Sequence, residues 1–135
     1  MKPEPHTGFW RGRGKSFACA LRGIAMLLRT QMNARIHLLA TVLVIAAGFA
    51  FRISRGEWVP LAFAIGIVWI AEAVNTAIEA LADRVSREHD EAIRRAKDVA
   101  AGAVLLAAFI AAVIGLLVLG PHAWTLLCGR SAAAK

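Results

Sequence analysis

Three long apolar segments constrain the fold of this chain more than any other feature of its sequence. Residues 36–51 are apolar apart from His37 and Thr41. Residues 58–70 form a second apolar segment, and residues 99–119 contain no charged side chain. Helices of roughly 20 apolar residues span the hydrocarbon layer of a bilayer, and a hydrophobic content of 59% is typical of membrane proteins. We therefore expect an all-α membrane protein with three transmembrane helices. The predicted spans are residues 35–53, 58–83 and 97–119.

Residues 15–33 have the pattern of an amphipathic helix. Their apolar positions recur at spacings of four, three and four residues, and their basic positions recur every seven. The apolar set is Phe17, Leu21, Ile24 and Leu28, and the basic set is Lys15, Arg22 and Arg29. We predict an N-terminal interfacial helix with its apolar side in the lipid boundary and its basic side toward anionic headgroups.

The regions on either side of these helices are short. Residues 1–14 contain several Pro and Gly residues and are predicted to form a flexible basic leader. Gly120 and Pro121 are expected to end the third span, which leaves residues 122–135 as a short tail. The predicted membrane domain is therefore residues 15–121.

The net charge of +7 is distributed unevenly along the chain. Seven Lys and Arg residues occur up to Arg35 and five follow the second span, against two in each of the other two segments outside the spans. A positive net charge is also typical of nucleic-acid-binding proteins. Here, however, the basic residues flank the apolar segments, as they do at the cytoplasmic ends of transmembrane helices. We expect a multi-pass protein with a cytoplasmic N-terminus and no nucleic-acid partner.

Four polar side chains follow the second apolar segment within the same predicted helix, and they are Glu72, Asn75, Glu79 and Asp83. At about 100° per residue they fall within an arc of about 80°, so they form one polar stripe on the helix. The helical rise puts Glu72 about 21 Å from Trp58, inside a hydrocarbon layer of about 30 Å. Ionisable groups in a bilayer are costly and mark functional sites. We predict that the polar stripe is functional and descends from the aqueous edge into the membrane.

The polar stripe and the loop after it contain the groups that phosphoryl transfer requires. The carboxylates near the water–lipid boundary are Glu79, Asp83, Glu88 and Asp98. Carboxylates hold Mg²⁺ and share it with nucleotide phosphates, and Lys97 supplies a positive charge for phosphate. Glu72, deeper in the membrane, is placed to accept a proton from a lipid hydroxyl. A proton relay or an ion pathway uses the same residue types, so these residues alone leave a small ion or proton transporter open.

Two motifs at this point resemble one protein family. Residues 72–83 match the pattern E-x-x-N-[ST]-A-[IL]-E-x-x-x-D, and residues 96–98 are A-K-D. Together they resemble the prokaryotic diacylglycerol kinase and undecaprenol kinase family, with a likeness that extends over about residues 15–121. The resemblance implies small lipid kinases of the bacterial inner membrane, with a surface helix and three spans. It also implies ATP and Mg²⁺ as cofactors, diacylglycerol or undecaprenol as substrate, and homotrimers whose active sites are shared between subunits.

The resemblance implies roles for individual residues. Glu72 matches the catalytic base, and Glu79 matches a metal-binding carboxylate. The residues that are implied to line or contact the nucleotide site are Gln31, Asn75, Glu79, Asp83, Glu88, His89, Asp90, Lys97 and Asp98. Residues 33–37, N-A-R-I-H, resemble the N-x-R-I-H stretch of the undecaprenol kinase branch, which favours undecaprenol as the substrate.

Two positions depart from the family pattern. Gln31 stands where the family usually has a second metal-binding Glu, and a neutral amide oxygen is a poorer Mg²⁺ ligand than a carboxylate. His89 and Asp90 stand where the family often has Tyr-His. The alternative to an active lipid kinase is therefore a non-catalytic or degenerate nucleotide-binding membrane protein of the same fold.

Overall fold

The computed structural model describes residues 7–85 and 90–132. In chain order the four helices are α1 (Thr7–Thr30), α2 (Met32–Ala50), α3 (Arg55–Val85) and α4 (Glu91–Ala132). No strand occurs among these described residues. The prediction of an all-α protein with an N-terminal helix followed by three apolar helices is confirmed.

Helices α2, α3 and α4 expose apolar side chains that suit the hydrocarbon layer of a membrane. All three helices are long and apolar enough to cross a membrane. Many of their large apolar side chains are exposed, among them Phe109 at 67% and Leu117 at 72%. A soluble protein rarely exposes apolar patches of such extent. The prediction of a membrane protein is therefore confirmed.

Helix α3 is the centre of the fold, because it packs extensively against α4 and also contacts α1 and α2. Its buried side facing the other helices carries Leu61, Ala64 and Val68, and α4 buries Ala100, Val104 and Ala107. Small residues at these positions let helices approach closely in a membrane, where van der Waals packing replaces the hydrophobic effect as the driving force.

The turn between α2 and α3 begins with a capping motif that requires a left-handed residue. Arg52 has a φ of 52°, and its N–H donates to the Phe49 carbonyl at 3.1 Å while the Ile53 N–H donates to the Gly48 carbonyl at 3.1 Å. These two bonds satisfy carbonyls that the end of α2 would otherwise leave free. Gly48 also allows α3 to come close, because a Cβ there would lie 2.7 Å from the ring of Trp58.

Ser54 and Glu57 form a capping box at the start of α3. The Glu57 N–H donates to Ser54 Oγ at 3.4 Å, and the Ser54 N–H donates to Glu57 Oε2 at 2.7 Å. The two side chains thus satisfy each other's backbone donors. The other oxygen of Glu57 lies 2.7 Å from His122 Nε2 of α4, and the His122 ring stacks on Phe51 at 6.2 Å between centroids.

Several helix boundaries differ from those predicted. Helix α1 begins at Thr7, so residues 7–14 of the predicted flexible leader are helical. Helix α4 begins at Glu91, before the predicted start at residue 97. The prediction that Gly120 and Pro121 end the third span was wrong, because α4 continues through Pro121 to Ala132. A proline removes one intrahelical hydrogen bond, but membrane helices tolerate it where neighbouring groups compensate.

Arg35 fixes the joint between α1 and α2. Its guanidinium donates to the Leu28 carbonyl at 3.0 Å and to the Arg29 carbonyl at 2.6 Å, so a cation caps the carboxyl end of α1. Gln31, the one residue between the two helices, has an extended backbone. This joint places the Gln31 side chain against α3.

Candidate functional site

The polar stripe of α3 changes from exposed to buried along its length. Asp83 is exposed, Glu79 is half-buried, and Asn75 and Glu72 are buried, with Glu72 only 1% exposed. The order follows the helix from its carboxyl end inward. A group that arrives from water and a group that arrives from the membrane can therefore meet on one face of one helix.

Glu79 is held by two amide side chains from different parts of the chain. Gln31 Nε2 donates to Glu79 Oε2 at 3.4 Å, and Asn75 Nδ2 donates to Glu79 Oε1 at 3.2 Å. The first bond links residues 48 positions apart in sequence. The structure thus brings together three of the predicted site residues, and Gln31 lies next to the predicted metal ligand.

Lys97 connects α4 to the exposed end of the stripe. Its Nζ lies 3.0 Å from Asp83 Oδ1, and both side chains remain partly exposed. An exposed ion pair of this kind contributes little to stability, at most about 1 kcal/mol. Lys97 can therefore exchange Asp83 for another anion, such as a phosphate, at little cost.

The other predicted nucleotide residues have local partners or lie outside the described residues. Asp98 pairs with Arg94 at 3.2 Å. Asp90 Oδ1 accepts hydrogen bonds from the N–H groups of Ala92 at 2.7 Å and Ile93 at 3.2 Å, so it caps the amino end of α4. Glu88 and His89 lie outside the described residues.

Three buried oxygens of the stripe region have no hydrogen-bond partner: Glu72 Oε2, Asn75 Oδ1 and Thr76 Oγ1. Leaving a buried polar atom unpaired costs about 1–3 kcal/mol, and folded proteins rarely do so. Three such atoms within two helical turns indicate a place where another molecule supplies the partners. Thr76 was not singled out from the sequence, although its position one helical turn after Glu72 indicates that it lies near that carboxylate.

Helix α2 supplies a further polar group near Glu72. The His37 ring is close enough to the Glu72 carboxyl for their charges to interact. One turn along α2, Thr41 Oγ1 donates to the His37 carbonyl at 2.7 Å and accepts from Trp69 Nε1 at 3.1 Å. The sequence did not predict the Trp69–Thr41 hydrogen bond, because the two residues lie 28 positions apart.

The described residues contain no group of three or more His, Cys, Asp or Glu side chains that would hold a metal ion unaided. Mg²⁺ in phosphoryl-transfer sites needs only one or two carboxylates, because waters and substrate phosphates complete its shell. Glu79, with the unpartnered Asn75 Oδ1 next to it, meets that requirement. The residues present therefore fit a cation shared with a nucleotide.

Comparison with known proteins gives a consistent result. The family model for prokaryotic diacylglycerol kinase matches residues 18–119. The chain is 40% identical over 107 residues to an undecaprenol kinase of Bacillus subtilis, which covers 79% of this chain and 87% of that protein. It is 38% identical over 113 residues to a diacylglycerol kinase of Synechocystis, covering 83% of this chain and 65% of that protein.

A diacylglycerol kinase of Pseudomonas aeruginosa is more distant, at 32% identity over 110 residues, 79% of this chain and 89% of that protein. The matched residues include the whole polar stripe and the A-K-D motif. The prediction of a membrane lipid kinase is confirmed, and a kinase of this kind takes its phosphate from ATP. The chain belongs to the prokaryotic diacylglycerol kinase family.

Proposed function

We propose that this protein transfers the γ-phosphate of ATP to the hydroxyl of undecaprenol at the cytoplasmic face of a bacterial inner membrane. The observation that carries the proposal is the burial gradient of the polar stripe, from exposed Asp83 to Glu72 at 1% exposure. A nucleotide is water-soluble and a polyprenyl alcohol is not. One helix face that offers polar groups at both depths suits a reaction between the two.

Glu72 takes the role of general base in this proposal. Its Oε2 is buried and lacks a partner, so a lipid hydroxyl that enters the site can donate a hydrogen bond to it. The proton passes to Glu72 as the lipid oxygen attacks the γ-phosphorus. A bond forms between those two atoms, the bond from the γ-phosphorus to the β–γ bridging oxygen breaks, and ADP leaves. Thr76 Oγ1, one turn away, positions the same hydroxyl.

Glu79 and Lys97 hold the nucleotide end. Glu79 would hold Mg²⁺, and the unpartnered Asn75 Oδ1 lies beside it. The cation would supply charge neutralisation for the nucleotide phosphates. Lys97 leaves Asp83 and contacts phosphate as a point charge, and Asp98 leaves Arg94 to contact the nucleotide. The family resemblance also assigns Glu88, His89 and Asp90 to the nucleotide site.

Undecaprenol is chosen over diacylglycerol on two grounds. The Bacillus subtilis relative, which is named an undecaprenol kinase, aligns over 87% of its own length at 40% identity. The N-A-R-I-H stretch ends in His37, which lies near Glu72, so this branch-like sequence adjoins the proposed reacting group. The Synechocystis and Pseudomonas aeruginosa relatives carry the name diacylglycerol kinase, which makes diacylglycerol the competing substrate.

We also propose a homotrimer with active sites shared between subunits and with the N-terminus in the cytoplasm. Exposed apolar side chains on α2 and α4 provide surface for contacts between subunits as well as for lipid. Native mass spectrometry from detergent micelles tests the stoichiometry. A dominant monomer in several mild detergents would contradict it.

The function is tested by phosphate transfer from radiolabelled ATP, with purified protein in mixed lipid micelles and Mg²⁺. Undecaprenol and dioleoylglycerol are supplied separately, and Glu72→Gln serves as the inactive control. We expect labelled undecaprenyl phosphate with a kcat/KM well above that for dioleoylglycerol. A preference for dioleoylglycerol would refute the substrate assignment alone, whereas no labelled product from either lipid would refute the kinase.

A further inference from the structure

A groove opens between α2, α3 and α4 and encloses about 1,300 Å³ of empty space, its open mouth included. We call it the interhelical groove. Its lining is apolar except for His37 and Thr41 at one end, and α4 contributes small residues such as Ala111 and Gly115. In the part of the chain that the structure describes, no side chain of α2, α3 or α4 fills this space.

The polar end of the interhelical groove adjoins the candidate active site. His37 lines the groove and lies near Glu72. Val68, which also lines the groove, lies one helical turn before Glu72 on α3. The groove is therefore continuous with the buried end of the polar stripe, where the reacting hydroxyl is proposed to lie.

The length of the interhelical groove is a large fraction of the membrane thickness. On α4 it extends from Ala108 to Ala123, about 22 Å at the helical rise of 1.5 Å per residue. The hydrocarbon layer is about 30 Å thick. Because α4 leads away from Lys97, the groove runs from the level of Glu72 toward the opposite membrane face.

A helix from a second copy of the chain is the competing occupant, because an open groove also accepts one face of a packed helix. A single hydrocarbon chain is thinner, needs no hydrogen-bond partners, and matches walls that are polar only beside Glu72.

We propose that the interhelical groove holds the polyprenyl chain of the lipid alcohol, with the hydroxyl at Glu72 and the chain running outward along α4. The inference rests on the proposed function and adds where the substrate chain lies and which residues select for it. Gly115 lines the groove, and an added Cβ there meets no heavy atom within 4 Å. A larger side chain at this position therefore has room to extend into the groove and narrow it.

The test compares a long and a short prenol in Gly115→Leu. Gly115 lies seven residues beyond Ala108 on α4, about 10 Å farther from Glu72, so the short prenol dimethylallyl alcohol does not reach it and undecaprenol must pass it. We expect kcat/KM for undecaprenol to fall at least about tenfold, in line with the effect of altered fit in apolar pockets. Turnover of dimethylallyl alcohol should stay near the wild-type rate, which also reports that the variant is folded.

Gly102→Leu is the matched control. Gly102 lies on the same helix, an added Cβ there also meets no heavy atom within 4 Å, and it does not line the groove. We expect the undecaprenol-to-dimethylallyl-alcohol ratio of kcat/KM to be unchanged in this variant. Native mass spectrometry of both variants tests whether a neighbouring subunit occupies the groove.

The outcomes separate the two proposals. Equal loss of both substrates in Gly115→Leu, or loss of neither, would overturn the groove assignment and leave the kinase intact. A change of oligomeric state in Gly115→Leu but not in Gly102→Leu would assign the groove to a second subunit and overturn the proposal. Wild-type protein that phosphorylates diacylglycerol but no prenol would refute the proposed substrate, and the groove assignment with it.

Discussion

The exchange Gln31→Glu tests the metal site most directly. Gln31 Nε2 lies 3.4 Å from Glu79 Oε2, and the variant replaces that hydrogen bond with two facing carboxylates. Like charges at this distance repel by about 5 kcal/mol at an effective dielectric constant of about 20. Both side chains are half-buried, so screening by water lowers this figure. A divalent cation between the two groups converts the repulsion into attraction.

Gln31→Glu should therefore lower stability without Mg²⁺ and increase the response to it. We expect a lower Tm than wild type in a chelator, a larger rise in Tm on adding Mg²⁺, and an Mg²⁺ concentration for half-maximal activity that falls about tenfold. A tenfold fall corresponds to about 1.4 kcal/mol, well within the repulsion available. Thermal unfolding in detergent and steady-state activity over an Mg²⁺ titration measure both effects.

Gln31→Met is the matched control, because it removes the hydrogen bond to Glu79 and adds no charge. It should lower Tm slightly and leave the change in Tm on Mg²⁺ addition as in wild type. An unchanged Mg²⁺ dependence in Gln31→Glu would refute the reasoning. It would mean that residue 31 does not face the cation, or that another carboxylate such as Glu88 has taken the role.

Further predictions concern the base, the metal ligand, the helix packing and the topology. Glu72→Gln should lower turnover about 100-fold or more while leaving nucleotide affinity near wild type, because general-base catalysis contributes 10²–10⁴-fold; equilibrium binding and single-turnover kinetics separate the two. Glu79→Gln should instead weaken Mg²⁺-dependent nucleotide binding, and equal affinity in the presence and absence of Mg²⁺ for wild type would contradict this. Gly48→Ala should destabilise the protein by about 1–3 kcal/mol, because its Cβ would lie 2.7 Å from the Trp58 ring, and Trp58→Leu should restore the loss in a double mutant. A cysteine at Arg94 in a cysteine-free background should resist an impermeant reagent in intact cells, and its labelling from outside would refute the cytoplasmic assignment.

The end of the helix bundle opposite the candidate functional site contains a structural contact. Glu57 there joins the capping box of α3 to His122 of α4, far from the buried part of the polar stripe. Nothing in the sequence pattern pointed to His122. The charge distribution assigns both residues to the same membrane face, but no motif or spacing predicted their contact.

Local information in the sequence determined the helices and the stripe. Apolar segments long enough to span a bilayer, and polar residues spaced within one arc of a helix, depend only on residues close in the chain. The spans, the polar stripe and its inward gradient from Asp83 to Glu72 were predictable for that reason. The family resemblance added which of these residues belong to one site.

Contacts between distant residues were decided by the tertiary structure alone. Gln31 meets Glu79 across 48 positions, and Thr41 meets Trp69 across 28, because the packing of whole helices sets which side chains face each other. The continuation of α4 beyond Pro121 also departs from the local signal, since Gly120 and Pro121 favour a helix end there. The interhelical groove is likewise a property of three helices together. Sequence periodicity sets which face of a helix is polar, but only the positions of the neighbouring helices decide what that face meets.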